Sequence, residues 1–344
     1  MAIYDGLFDA LGLRGWCDAD KIDGPPSLAD LTARARGGAP PEMALRDLPF
    51  PSLDNLHESC AAMPRTREFT NGVAEAFLAV KDPLKVVLDP LTQPLSWALT
   101  DALRAFQAVP WFVMIPLLGL VTWAAARSWS IVALVVGTFL GLAFIDHYSY
   151  AMQTLSIVFV CTLISVALGV PIGIAMARSD ALQRVLTPVL DMLQTLPTFV
   201  YLIPLIFLFS VTEPKLYGIA IILYAIVPVI RLTDLGIRLV DKDVIEAADA
   251  YGMTSRQKLW GVQVPLALPN IMAGVNQTIM MSLAMVVIAS LVSAPGLGVL
   301  VLRGIRNLEL GVGLVSGLGI VLLAVLLDRV TKAALSRVNA AAHR

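Results

Sequence analysis

The sequence predicts an all-α polytopic membrane protein, and three observations carry that prediction. Of the 344 residues, 57% are hydrophobic and only 15% charged, where soluble domains run at about 45–50% and about 25%. Between Pro110 and Leu327 long apolar runs alternate with short polar links, and several reach the roughly 20 residues that a helix needs to cross a bilayer core. Lys and Arg are also distributed unevenly between alternate links, as expected of a chain threaded through a membrane.

The elements follow in chain order. Residues 1–90 form a polar, Pro-rich tail with Pro25, Pro26, Pro40, Pro41, Pro49, Pro51 and Pro64 and few periodic segments, so it is expected to be largely disordered or loosely structured. The first residues lack a basic stretch followed by an apolar core, so they do not read as a cleavable signal peptide. Over 91–107, Leu95, Ala98, Leu99, Ala102 and Phe106 share one helical face while Ser96, Thr100, Asp101, Arg104 and Gln107 occupy the other. That pattern fits a helix in the membrane interface, or one packed on the protein's own membrane domain.

Seven crossings are predicted at 108–126, 129–145, 151–177, 186–210, 216–239, 268–293 and 310–330. The first two, joined by Arg127-Ser128-Trp129, make a hairpin over 108–145. The membrane domain follows at 146–335 with a cytoplasmic link at 240–267, and a short C-terminal tail closes the chain at 336–344. One set of alternate links carries eleven basic residues: Arg127, Arg178, Arg184, Arg238, Lys242, Arg256, Lys258, Arg329, Lys332, Arg337 and Arg344. The other carries only Lys215, Arg303 and Arg306. The link at 240–267 and the C-terminus are therefore expected in the cytoplasm. Seven crossings put the N-terminal tail outside; six or eight would put it inside. Pro171, Pro197, Pro204 and Pro228 fall within these crossings, where a missing amide bends a helix.

Net charge is −1, so nothing advertises nucleic acid as a partner. Cys17, Cys60 and Cys161 form no CxxC, and His57, His147 and His343 stand far apart, so no metal or redox motif has its spacing. No G-x-x-x-x-G-K-[ST] phosphate loop occurs, so ATP and Mg, if used, belong to another chain.

The link DKDVIEAADAYGMTSRQKLWGVQVPLALPNI is too apolar for a mere connector. Asp243 with Glu246 reads as a capping pair before Ala247, Ala248, Ala250 and Tyr251, and Gly252 supplies the C-terminal turn. Thr254 with Gln257 repeats the device, and the second helix is expected to run through Trp260 until Pro265 ends it. The result is an elbow outside the membrane. On these residues alone it is either a docking surface or a set of ordinary caps with Trp260 as an interface anchor.

Glu246-Ala247-Ala248, then Gly252, then Val262-Gln263-Val264-Pro265 resembles the EAA-x3-G-x9-I-x-L-P loop of bacterial ABC importer permeases, with Val262 for Ile and Val264 for Leu. LDMLQTLPTFVYLIPLIFLF at 190–209, VPVIRLTDLGI at 227–237, PNIMAGVNQTIMMSLAMVVIAS at 269–290 and LRGI at 302–305 are similar to the permease of glycine betaine/proline betaine (osmoprotectant) importers. The similarity extends over roughly 145–335. SLVSAPGLGVL at 290–300 departs from that family at Ala294-Pro295, which would alter substrate preference if the segment lines an outer gate.

The resemblance implies a five-helix ABC importer permease core, preceded here by the hairpin and the amphipathic segment. It further implies a homodimer of permease subunits, two ABC ATPase subunits, and a periplasmic or extracellular substrate-binding protein, in a bacterial cytoplasmic (inner) membrane. In that picture Glu246, Ala247, Ala248, Gly252 and Pro265 couple to the ATPase, and the chain is a transport subunit rather than an enzyme. The cargo would be glycine betaine, proline betaine, choline or trimethylamine N-oxide.

Polar residues inside a bilayer usually face protein or water. Arg231 and Asp234, three apart, are expected to pair on one helix. Gln194, Thr198, Tyr201, Asn276 and Met280 are candidates for the substrate pathway, with inter-helix hydrogen bonding and packing as the plainer account. Three other readings compete: an ion-coupled secondary transporter, which the elbow argues against; an ABC permease for another solute; and a membrane enzyme, for which no nucleophile, base and metal converge.

Overall fold

The computed structural model describes Tyr4, Phe8, residues 10–17 and residues 50–342; the prolines at 25, 26, 40, 41 and 49, together with His343 and Arg344, lie outside these. Every regular element among the described residues is helical. The chain divides into two compact units, Met1–Leu84 and Lys85–Arg344.

The first unit has more order than its composition predicts. Helices α1 (Arg14–Cys17) and α2 (Leu53–Ser59) are joined by a disulfide between Cys17 and Cys60, across 43 residues of sequence. Phe8, Cys17 and Cys60 are buried together, with Tyr4, Leu56, Ala62 and Met63 packed on them. Asp54 accepts a 2.9 Å hydrogen bond from the amide of Thr66, and this bond holds its carboxyl below the ordinary carboxylate range. Thr66 opens α3 (Thr66–Ala108), a single helix of 43 residues that runs from the first unit into the second. The expected tail is therefore helical from Thr66 onward, and the amphipathic segment at 91–107 is only the end of a much longer helix. No single stretch of it is strongly apolar, which hid it from a composition reading.

In the second unit α4 (Trp111–Ala126) and α5 (Trp129–Phe144) form the hairpin, each of 16 residues, or about 24 Å. Arg127 turns the corner in the left-handed region at φ 51, with its guanidinium 4.6 Å from the Trp123 ring centre. Among the described residues four helices are long and apolar enough to cross a membrane: α6 (Tyr148–Arg178), α9 (Pro214–Arg238), the continuous span Ser255–Val292, and α14 (Leu310–Ala342). Helix α14 runs through most of the stretch expected as a C-terminal tail.

The expected crossing at 186–210 is not one helix. Helix α7 (Asp180–Thr195) stops at Leu196, whose backbone is extended (φ −64, ψ 131), because a residue preceding proline is driven out of the helical region. Pro197 opens a turn closed by the Val200 amide on the Pro197 carbonyl, and α8 (Leu202–Leu208) resumes for only seven residues. By contrast α6 and α9 continue through Pro171 and Pro228.

The core is built on α9, which packs most extensively against α6 and α12 (Val264–Ala289), the long helix that follows the elbow. Small residues allow the backbones to touch. A Cβ at Gly173 on α6 would lie 2.6 Å from the Ile230 carbonyl oxygen, and one at Gly274 on α12 would lie 3.0 Å from the Val229 Cα. Met176, Leu190, Ile226, Val227, Val229 and Ile230 form the adjoining apolar cluster.

Replacing Gly173 by Val should therefore force α6 and α9 apart at a cost of about 1–3 kcal/mol or more, seen as lost thermal stability in detergent. Gly137→Ala, where nothing lies within 4 Å, is the control. Equal melting temperatures for the two variants would overturn the close-packing account.

Candidate coupling site

The elbow is built from two short helices. Helix α10 (Lys242–Ala250) starts at Asp241, whose carboxylate accepts from the Asp243 amide at 2.9 Å. The cap thus lies two residues before the Asp243–Glu246 pair that the spacing predicts. This leaves Glu246 exposed, with Ala247 beside it and Ala248 buried. The helix ends as the sequence suggests: Gly252 has φ +75, its amide donates to the Asp249 carbonyl at 2.9 Å, and the Met253 amide donates to the Ala248 carbonyl at 3.1 Å. These paired bonds satisfy carbonyls that the helix end would leave open, and they require a left-handed residue.

Helix α11 (Ser255–Lys258) has the reciprocal cap, with Thr254 Oγ1 accepting from the Gln257 amide and Gln257 Oε1 accepting from the Thr254 amide. Lys258 Nζ donates to both carboxylate oxygens of Asp249, at 2.6 and 2.8 Å, and so closes α10 on α11. Pro265 does not end this second helix. A π-helical turn, Leu259–Gln263, carries α11 directly into α12, with the Val264 amide donating to the Leu259 carbonyl five residues back. Pro265 falls in the first turn of α12, where the ladder is already changing its spacing and a missing amide does least harm. Tyr251 is 87% exposed and Trp260 58%, so the elbow presents two aromatic side chains next to its acidic and alanine face.

An ionic knot sits at the C-terminal end of α9, three residues before the elbow. Arg238 Nε donates to Asp234 at 2.8 Å, its Nη1 to Asp180 at 2.7 Å and its Nη2 to the Met176 carbonyl at 2.8 Å. Gln183 Nε2 donates to the other oxygen of Asp234 at 2.7 Å. One side chain thus ties the end of α6 and the start of α7 to the helix that leads into the elbow.

The pairing of Arg231 with Asp234 is corrected here: Asp234 belongs to Arg238 and Gln183, and Arg231 pairs with Asp191 on α7. The spacing of three along α9 suggested a local pair, but Asp234 lies four residues before Arg238 and faces α7. Sequence reasoning had no signal for the Arg238 hub beyond its count among the cytoplasmic charges.

The candidate pathway residues separate into two groups. Gln194 is exposed at the end of α7, Thr198 is half-buried in the break after it, and Tyr201 is buried at the start of α8. All three therefore lie on the interrupted segment. Asn276 points elsewhere, donating to Asp328 of α14 at 2.9 Å, while Lys332 holds the other oxygen of that carboxylate at 2.9 Å. This is the inter-helix hydrogen bond of the plainer account. Met280, one turn further along α12, is half-buried. Near 290–300, Ser293 and Gly296 both have positive φ, and the Leu297 amide that opens α13 (Leu297–Arg306) donates to Thr154 at 2.9 Å.

The family model described as "Binding-protein-dependent transport system inner membrane component" matches residues 169–340. The glycine betaine/proline betaine transport system permease protein of Escherichia coli (strain K12) is 40% identical over 277 residues, covering 74% of this chain and 77% of that one. The glycine betaine transport system permease protein of Bacillus subtilis (strain 168) is 44% identical over 214 residues, 60% of this chain and 75% of that one. The trimethylamine N-oxide transport system permease protein of Ruegeria pomeroyi is 39% identical over 225 residues, 65% of this chain and 34% of that one.

Nothing lies within 4 Å of where a Gly252 side chain would start, so a substitution there acts through the backbone alone. A side chain in the left-handed region costs about 1–2 kcal/mol, and every 1.4 kcal/mol is tenfold in an equilibrium. Gly252→Val should leave the amount of inserted protein unchanged while ATP-driven uptake falls about tenfold, and Gly252→Asn, which tolerates that region, should stay close to the parent. Uptake by the Val variant at the parental rate would show that this turn does not matter.

Proposed function

The chain belongs to the family of binding-protein-dependent transport system inner membrane components, and from that premise we propose that it is the membrane-spanning subunit of an importer that carries small methylated amines into the cytoplasm. The cargo class is glycine betaine, proline betaine, choline or trimethylamine N-oxide. Two copies of the chain form the pathway, an ATPase subunit sits beneath each elbow, and an external binding protein delivers the solute. The observation that carries this reading is the elbow itself, an exposed Glu246-Ala247 face and Tyr251 on a rigid turn, fused without a break to a membrane-crossing helix.

The elbow residues Glu246, Ala247, Ala248, Gly252 and Pro265 serve as the handle for the ATPase. Displacing a rigid handle moves the packed helices joined to it as a body, and bistable packing turns that displacement into inward or outward opening. The Arg238 knot carries the displacement to α7, and Gln194, Thr198 and Tyr201 lie where that helix breaks. An aromatic face attracts a quaternary ammonium by roughly 0.5–2 kcal/mol, which suits passing contact at Tyr201 rather than tight capture.

Sidedness follows from the same frame. The elbow and the C-terminus face the cytoplasm, as the basic links favour. Arg337 near the end of α14 donates to the carbonyls of Ala124 and Ala125, the latter at 2.9 Å, so the end of α4 shares that side. The N-terminal end of α4, with α3 before it, then lies outside. The Cys17–Cys60 disulfide agrees, because such bonds persist in oxidising compartments and are rare in the cytosol.

Two measurements test this. The chain reconstituted with its ATPase and binding protein should accumulate at least one of these methylated amines only when ATP is present; accumulation by the purified chain alone would end the proposal. In intact spheroplasts, an impermeant maleimide should label Cys17 and Cys60 after treatment with an impermeant reductant and not before it. Labelling of the tail only in lysed cells would put it in the cytoplasm.

A further inference from the structure

The two arginines that tie α9 to α7 are used differently. Arg238 spends Nε, Nη1 and Nη2 on three separate acceptors. Arg231 is bonded to Asp191 through Nη2, and its Nε is buried and meets no acceptor among the described residues. The Arg231 pair is also open, with side chains 38% and 55% exposed, whereas Asp234 in the Arg238 knot is closed off at 10%. A purely structural tie would be expected to look like the second case.

Depth makes this openness informative. With 25 residues, α9 is about 37 Å long against an apolar layer of about 30 Å. Arg231 lies seven residues, or about 10 Å, before the end of α9 at Arg238, so it stands inside that layer. Asp191 lies eleven residues beyond the start of α7 at Asp180, which Arg238 holds level with the end of α9. Ionisable groups at such depth face protein or water rather than lipid, and they mark the routes that solutes take.

The neighbouring helices leave the same side free. Helix α6 closes on α9 at Val229, Ile230 and Thr233. At about 100° per residue, Tyr224, Arg231 and Leu235 fall together on the roughly opposite side of α9, and none of them is buried. On α12 the side toward α6 is marked by Ser282, which accepts a hydrogen bond from Thr162 at 3.3 Å. Ala273, Gln277, Met280 and Ala284 recur at spacings of four and three on the opposite side, and none of these is buried either. A cavity of about 410 Å³ borders this face, with Leu232, Gln277, Thr331 and Lys332 in its wall. Two packed helices thus share an unfilled, partly polar face turned away from α6, and the Arg231–Asp191 pair lies on it.

We propose that Arg231 and Asp191 form a two-charge station in the pathway that selects solutes carrying both a positive and a negative end. This rests on the importer reading given above and narrows its cargo to net-neutral dipolar amines, betaines ahead of choline. With no solute bound the two side chains satisfy each other. A betaine enters by giving its carboxylate to the guanidinium, which has donors to spare, and its methylated ammonium to Asp191. The direct bond opens, yet both protein charges keep an opposite partner. A solute with the cation alone leaves Arg231 uncompensated, and one with the anion alone leaves Asp191 so, which penalises both where water is scarce.

The test uses the full chain in complex with its ATPase in lipid nanodiscs, without nucleotide or binding protein, so that delivery does not set the preference. Glycine betaine, choline and tert-butylacetate share a head of three methyl groups and differ in charge, being zwitterion, cation and anion. Equilibrium binding of each labelled solute should favour betaine over both others by roughly tenfold or more. Arg231→Gln should weaken betaine binding and abolish its advantage over choline, and Asp191→Asn should abolish its advantage over tert-butylacetate. Arg231→Lys, which keeps the charge, should preserve the parental order. Variants that melt at lower temperature but keep the parental order would make the pair a structural latch and overturn the proposal. Equal binding of the three solutes to the parent, or no saturable binding of betaine, would do the same. ATP-driven betaine uptake by the complete system can persist in each of those cases, so the importer reading stands or falls on its own measurement.

Discussion

The backbone contact between α9 and its two neighbours is the constraint on which the rest of the structure depends. At Gly173 and Gly274 there is no room for even one carbon beyond the main chain, so α6, α9 and α12 sit closer than ordinary side chains permit. In a bilayer the lipid is as apolar as the helices, and close approach of this kind supplies much of the drive for association. A three-helix body packed this tightly has little freedom to deform internally. Movement of any one of these helices would carry the other two with it, and Arg238 ties the start of α7 to the same body.

Much of this architecture was legible in the residues. Long apolar runs located α6, α9, α12 and α14, because membrane crossing is mainly a matter of length and composition. The turn at Gly252 and the cap at Thr254 were also legible, since both rest on local chemistry within four residues. Each of these signals is short-range or compositional, and each survives without knowledge of neighbours.

What escaped is what depends on neighbours or on small backbone choices. Asp234 chose Arg238 and Gln183 over Arg231 because α7 folds back beside α9, and nothing in the spacing of three announces that. For Asn276 the residues offered both a pathway role and an inter-helix hydrogen bond, and its partner, Asp328, lies some fifty positions away where no spacing announces it. Four prolines sat in apolar runs and only Pro197 broke its helix; the sequence around Pro171 and Pro228 is no less apolar, and packing against partners keeps those helices whole. The disulfide between Cys17 and Cys60 joins residues with no motif around them, so only the fold could reveal it. The order of 66–90 was missed because an amphipathic helix of modest hydrophobicity resembles a polar tail in composition.

The π-turn at Leu259–Gln263 has a consequence for how this region tolerates change. Because the second elbow helix and the membrane span are one unbroken spiral, the count of residues between Ser255 and Val292 determines the compass bearing of the elbow around its axis. Each residue added or removed would swing that bearing by about 100°, moving the exposed Trp260 by more than a quarter turn and carrying the first elbow helix with it through Asp249 and Lys258. Side-chain identity along this stretch is therefore freer to drift than its length, and a deletion that spared every side chain of the elbow would still turn the elbow to a different bearing.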